Sequence, residues 1–276
     1  MAGALILVAT PIGNLGDLSE RAVATLRSAS VIACEDTRHT RKLLNHAEIR
    51  GVPVIAVHEH NEVGSAVEIV RRVEEGQTVA LVTDAGMPAI SDPGEKVVAA
   101  VAAAGLIVSV VPGPSAVPAA LAVSGLPTER FCFEGFLPRK ATDRQHRLAD
   151  IADEERTMVL YEAPHRLAVA IDELIHHCGV DRRIVLVREL TKLHEEIWRG
   201  TLGALRDRLS AGSVKGECVL VLAGLVRNTD VSDDEILARL AEVLDAGGTK
   251  KDAVSKVVEE TAAGKNRIYG LAAKLK

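Results

Sequence analysis

Aromatic side chains are almost missing from this chain, which has three Phe, two Tyr and one Trp in 276 residues. Its core must therefore be made of Val, Leu, Ile and Ala, a composition suited to parallel sheets covered by helices. Cysteine is also sparse. Cys34, Cys132, Cys178 and Cys218 are widely spaced and form no CxxC pair, which argues against a zinc-thiolate site or a disulfide framework. That usage fits a reducing compartment, and a cytoplasmic protein is expected. Long apolar runs are absent as well. The opening MAGALILVATP has no basic leader, and its apolar stretch is too short for a signal peptide or membrane span, so it reads as a buried first strand. The segment that follows, ATPIGNLGDLS, is not GxGxxG, and GxxxxGK[ST], HExxH and GxSxG do not occur. Dinucleotide-fingerprint, P-loop, zincin and nucleophile-elbow chemistries are thereby disfavoured. His58 and His60 would share one face of a strand without a third ligand, so no metal is expected.

What remains is an ordinary globular composition, 47% hydrophobic and 26% charged, with a net charge of −5. Such a balance does not suggest a generic nucleic-acid coat. Basic residues nevertheless cluster locally: Arg38, Arg41 and Lys42; Arg139, Lys140, Arg144 and Arg147; and a tail with Lys250, Lys251, Lys256, Lys265, Arg267, Lys274 and Lys276. Solvated surface accounts for any one cluster. Three on one chain leave room for a polyanionic partner.

Strand-like runs at residues 5–9, 31–34, 54–57, 78–82 and 107–111 alternate with helical patterns at 19–28, 37–46, 62–75 and 95–104. This alternation predicts a parallel, helix-covered sheet over residues 1–115. Ser19 is the expected N-cap of the first helix, with Gly76 and Gly105 as C-terminal stops. The segment 112–118 (PGPSAVP) punctuates the chain. Strands are then expected at 131–136, 157–161, 184–188, 194–199 and 217–222, some joined without a helix. A second α/β domain with a mixed sheet over 125–225 follows from that pattern. Residues 226–276 read as short helices only (233–245, 250–263 and 265–274), a helix-turn-helix-like extension with Thr249 as a cap. The fold class expected is thus two α/β domains with a small helical C-terminal extension.

The most informative segment is 79–94, VALVTDAGMPAISDPG. A buried strand ends at Thr83-Asp84 and opens into a loop carrying Gly86, Pro88, Ser91, Asp92, Pro93 and Gly94. This connection is longer than the usual two to six residues, and ligands in open α/β sheets bind beyond strand carboxyl ends. Polar groups after the other strands would converge on the same rim: Thr10 and Pro11; Glu35, Asp36 and Arg38; His58, Glu59 and Asn61; Pro112 to Ser115. Within the loop, Asp84 is expected to touch ligand and Asp92 to cap the following helix. The second domain would add Tyr161 to Arg166 to the cleft.

Five strings, TPIGNLGDLS, EDTRHT, DAGMPAISDPG, PGPSA and YEAPHR, occur in order from Leu5 to Ala223. Together they resemble the tetrapyrrole-methylase superfamily and, within it, the ribosomal RNA branch. That resemblance implies a homodimer with S-adenosylmethionine in the cleft between the two α/β domains. It further implies methylation of a ribose 2′-hydroxyl of a cytidine in the decoding centre of 16S rRNA, on the small ribosomal subunit. Carried over by position, cofactor contacts fall on Pro11, Asp84, Ala85, Gly86, Met87, Ile90, Ser91, Ser115, Ala116 and Tyr161. Many members have Gly-Asp-Pro where this chain has Thr83-Asp84-Ala85, which weakens a tetrapyrrole acceptor and keeps the aspartate.

A sugar hydroxyl is a poor nucleophile, so a nearby acceptor should help it. Glu35, Asp36 and His165 are the expected catalytic groups, with His39 and Glu162 also at the rim. Arg38, Arg41, Lys42, Arg139, Lys140 and Arg166 are the expected RNA contacts. Alternatives are a tetrapyrrole or diphthine-type methyltransferase of the same fold, and a non-catalytic cofactor-sensing RNA-binding module.

Overall fold

A computed structural model describes residues 3–212, 214–226, 231–261 and 263–275. Lys276 of the basic tail and residue 262 of its expected second helix lie outside the described residues. Residues 1–152 and 156–223 form one compact unit, and 153–155 with 224–276 form another.

The first unit holds two five-stranded sheets. In the first, β1 (Ala4–Val8), β2 (Val31–Cys34), β3 (Val54–Ala56), β4 (Thr78–Val82) and β5 (Ile107–Val111) lie in the order β3-β2-β4-β1-β5, all parallel. Apolar side chains on both faces make the central strands continuous hydrophobic runs. Val79 and Leu81 pack under α3 (Glu62–Glu74) and α4 (Glu95–Ala103) with Ile69, Val97 and Val101. Ala80 and Val82 face Leu26 and Leu44 of α1 (Glu20–Ser28) and α2 (Thr37–His46). The expected signals appear in place: Ser19 accepts from Ala22 N at 3.1 Å, and Gly76 and Gly105 have φ of 84° and 70°.

After α5 (Ala116–Ser124), the second sheet runs β6-β7-β10-β8-β9. Its strands are β6 (Phe131–Phe136), β7 (Thr157–Glu162), β8 (Arg183–Arg188), β9 (Glu196–Thr201) and β10 (Cys218–Leu222). Only the β6–β7 pair is parallel; β7–β10, β10–β8 and β8–β9 are antiparallel. One face packs under α6 (Ala141–Asp153), α7 (Leu167–Cys178) and α8 (Leu202–Ser210), the other under α5. β9 starts two residues later than the sequence suggests. Its would-be first residues are held in a turn, where Thr191 N donates to Glu195 Oε2 at 2.7 Å and Lys192 N to Glu189 O at 2.9 Å.

The second unit is the three-helix tail: α9 (Asp233–Asp245), α10 (Lys250–Thr261) and α11 (Lys265–Ala272), closed around Ile236, Leu240, Val254, Val257 and Ile268. Ser232 and Glu235 form a capping box for α9, and Thr249 and Asp252 exchange the same bonds at α10. Among the described residues no helix is long and apolar enough to cross a membrane.

Candidate active site

Strand order decides which loops meet. β4, β1 and β5 are neighbours, so the segments after their carboxyl ends form one wall of a cavity of about 360 Å³. Ile12 follows β1, Ala85 to Met87 and Ile90 to Asp92 follow β4, and Ser115 and Ala116 follow β5. The β4 loop is pinned rather than loose. Thr10 N donates to Gly86 O at 2.9 Å and Gly86 N to Thr10 O at 3.1 Å. Gly86 has φ +87°, and a Cβ there would lie 3.3 Å from Ile12 Cγ2. Ala89 and Ser91 are held at φ 68° and 61°, in left-handed backbone that costs about 1–3 kcal/mol per non-glycine residue.

The opposite wall comes from the second sheet. Phe136 ends β6, Tyr161 and Glu162 end β7, and Ala163 and Pro164 follow. Because β10 runs antiparallel to β7, its beginning meets the end of β7, which brings Glu217, Cys218 and Val219 to the same wall. Phe133 and Phe136 pack edge-to-face on Tyr161, with centroids at 5.0 and 5.5 Å.

Carboxylates dominate the electrostatics. Burial pushes Asp92 up to about 6; Glu35 and Asp84 push the same way, and a hydrogen bond from Thr83 opposes them. Glu35 is also raised, by burial first and then by Asp84, while its Oε2 accepts from Thr83 Oγ1 at 3.2 Å. Tyr161 is pushed up to about 12 by burial and by the negative charge of Asp92 and Glu217. Asp36 behaves oppositely. Its hydrogen bonds with Arg38 hold it far below the usual carboxylate range.

Of the expected cofactor residues, Ala85, Gly86, Met87, Ile90, Ser91, Ser115, Ala116 and Tyr161 come together on the cavity wall, while Pro11 and Asp84 do not. At the end of β1 it is Ile12, one residue beyond Pro11, that reaches the wall. Asp84 is engaged elsewhere: Oδ1 accepts from Asp36 N at 3.2 Å and Oδ2 meets His39 Nδ1 at 2.8 Å. Neither loop aspartate thus stands where it was expected. Asp92 lines the cavity and caps nothing; the N-terminus of α4 is capped by the buried Glu62, whose Oε1 accepts from Gly94 N at 2.8 Å and Lys96 N at 2.9 Å.

None of the three expected catalytic groups lies on the cavity wall. Glu35 and Asp36 follow β2, which β4 separates from β1 and β5. Asp36 caps α2 through Arg38 N at 2.7 Å and pairs with the Arg38 guanidinium, also at 2.7 Å. His165 faces a separate groove lined by Arg139, Arg144, Arg166 and Val169, beyond the turn in which Arg166 N donates to Ala163 O at 2.9 Å. Ligand-type atoms of Asp36, His39 and Asp84 lie within 4.8 Å of one another, a trio the sequence reading did not single out. Among the expected RNA contacts, Arg41 and Lys42 are exposed on α2, and Arg139 and Lys140 are exposed before α6. Lys140 sits 3.5 Å from Asp143, and Arg166 is committed inward to Leu137 O at 3.2 Å.

Residues 4–206 match the family of Tetrapyrrole (Corrin/Porphyrin) Methylases. The chain belongs to that family. Among curated tetrapyrrole-methylase relatives, it is 45% identical to the ribosomal RNA small subunit methyltransferase I of Synechocystis sp., over 99% of this chain and 98% of that protein. The protein of the same name from Xylella fastidiosa is 46% identical, over 97% of this chain and 98% of that one. A solved tetrapyrrole-methylase structure, uroporphyrin-III C-methyltransferase from Thermus thermophilus complexed with S-adenyl homocysteine, shares the fold. Its TM-score is 0.54 at 19% identity, over 80% of this chain and 96% of that one.

Cavity residues that sequence reasoning missed are Ile12, Asp92, Phe136, Glu217, Cys218 and Val219, and Glu162, Ala163 and Pro164 were placed only in the cleft at large. For Asp92 a signal existed: it shares a strained loop with Gly86 and Ser91. For Glu217 to Val219 there was none, since the pairing of β10 with β7 is a matter of topology.

Proposed function

We propose that the protein uses S-adenosylmethionine to methylate the ribose 2′-hydroxyl of a cytidine in the decoding centre of 16S rRNA, acting on the small ribosomal subunit as a cytoplasmic homodimer. Near-full-length relatives named for ribosomal RNA small subunit methylation support this reading. The structural observation that carries it is the cavity between the two sheets, in which apolar side chains of both walls surround a few carboxylates, Asp92 on the β4 side and Glu162 and Glu217 on the β7 side. A volume of about 360 Å³ is in the small-ligand range of roughly 300–1,000 Å³. The unpaired buried oxygen of Glu162 suits a ligand with hydrogen-bond donors.

When bound, the cofactor supplies a methyl group on a sulfonium, already activated for in-line displacement. The pinned loop from Ala85 to Asp92, with Ser115, Ala116 and Tyr161, then has the task of alignment. Phe136, Tyr161 and Val219 exclude water from the same space. Asp92 replaces Glu35, Asp36 and His165 as the group that takes the hydroxyl proton. It is on the wall, and with a pKa of about 6 it is an ionised acceptor at neutral pH. Arg41, Lys42 and Arg139 are the exposed cations best placed to meet phosphates, with the groove at Arg139 and His165 as a second contact. In the division into 1–115, 125–225 and a helix-turn-helix-like extension at 226–276, the first two segments carry catalysis and these phosphate contacts, and the third adds further grip on RNA.

The test is to incubate purified small subunits with isotopically labelled methyl donor and analyse the nucleosides by mass spectrometry. Labelled 2′-O-methylcytidine is expected, with far lower transfer to short oligonucleotides. Label on a tetrapyrrole instead, or on no substrate at all, would refute the proposal.

A further inference from the structure

Glu162 is 2% exposed at the end of β7. Its Oε1 accepts from Ala163 N at 2.9 Å and stands 3.5 Å from Arg166 Nε. Its Oε2 is buried in the cavity wall with no hydrogen-bond partner. A buried carboxylate oxygen left unpaired is costly, and Arg166 compensates the charge without reaching that atom. The wall around it is largely apolar, with Phe136, Tyr161, Pro164 and Val219, and its other carboxylate, Glu217, is turned out to solvent and paired with Lys192. Ser91, Asp92 and Ser115 place two aliphatic hydroxyls and a carboxylate on the opposite wall. A planar heterocycle suits the first wall and a ribose the second. On the adenine ring, N7 accepts, and the exocyclic amine is the edge group that donates.

We infer that Glu162 reads the exocyclic amine of the adenine base, making it a specificity-determining residue for the adenosyl cofactor. This rests on the cofactor proposed above. The carboxylate acts by binding alone and takes no part in methyl transfer.

Isothermal titration calorimetry with S-adenosylhomocysteine and S-inosylhomocysteine tests it, because the second ligand carries an oxygen acceptor in place of the amine. The wild-type protein should prefer the adenosyl ligand by about 10- to 100-fold, as expected when a buried acceptor is left unpaired by the analogue. Glu162→Gln can turn its amide NH₂ toward the oxygen, so the preference should collapse or reverse while inosyl affinity is kept or improved. Glu162→Ala, which contacts neither group, should bring the ratio close to one. A wild-type ratio in both variants would overturn the inference and leave the cofactor standing. Failure of the wild-type protein to bind either ligand would remove the cofactor proposal and this inference with it.

Discussion

At the residue scale, the two aspartates of the β4 loop show how burial and partners divide chemically identical groups. Asp84 is spent on Asp36 N and His39, whereas Asp92 stands half-buried in the cavity wall among like charges. The ordinary Asp92 pKa of 3.8 is raised to about 6. Between those values the folded protein holds a proton that the unfolded chain releases, so folding stability falls as pH rises through that window and stays lower above it. Asp92→Asn should therefore melt at a higher temperature than wild type at pH 8. The advantage should vanish by about pH 3.5, below the ordinary Asp value. Differential scanning fluorimetry across pH 3.5–8 reads this directly; a constant offset would mean that the carboxylate does not titrate there. The same variant should lose most methyl transfer, and the acid limb of the wild-type rate profile should centre near 6. Both aspartates were visible in the sequence as loop carboxylates. Which one lines the cavity was not, because it depends on His39 and Asp36, which lie far away in the chain.

At the scale of elements, α4 is the best case of long-range dependence. Its N-terminal amides are satisfied by Glu62, the first residue of α3, which is 5% exposed. Glu62→Ala strips two charge-assisted bonds and should cost about 2–4 kcal/mol in a urea titration. Glu62→Gln keeps an acceptor in place and should recover part of that loss. Gly94, which precedes α4, has φ +133°, and a Cβ there would lie 2.9 Å from Leu81 Cδ2, so the helix start is also sterically fixed. The positions of β1, β2 and β4 were legible because they are short runs of Val, Ile, Leu and Ala bounded by polar or glycine-bearing segments. Their order was not. Nothing in the runs themselves shows that β4 inserts between β2 and β1, yet that insertion removes Glu35 and Asp36 from the cavity. The mixed character of the second sheet was legible from strands joined without helices, and the pairing of β10 with β7 was not.

At the scale of the molecule, residues 1–152 and 156–223 make one compact unit and the tail, with residues 153–155, another. Each has its own hydrophobic core. A chain ending at residue 223 should thus melt cooperatively and bind S-adenosylhomocysteine with an affinity close to that of the full chain, while methyl transfer to small subunits declines. Loss of binding on truncation, measured by calorimetry, would assign the tail a part in the cavity. The family was the most legible property of all, since five strings in fixed order carry it across most of the chain. Four of those strings reach the cavity wall and EDTRHT does not, while Phe136 and Glu217 to Val219 fall in none of them.

The paired bonds between Thr10 and Gly86 have a further consequence. Surface loops ordinarily accept insertions and deletions with little penalty. Here the segments after β1 and β4 are spliced into a single two-ended ribbon. One added residue in either would slip the splice and displace Ile12 on one side and Met87 on the other. The stretches from β1 to Thr10 and from β4 to Gly86 are accordingly each fixed in length, and any lengthening compatible with this pairing must fall beyond it.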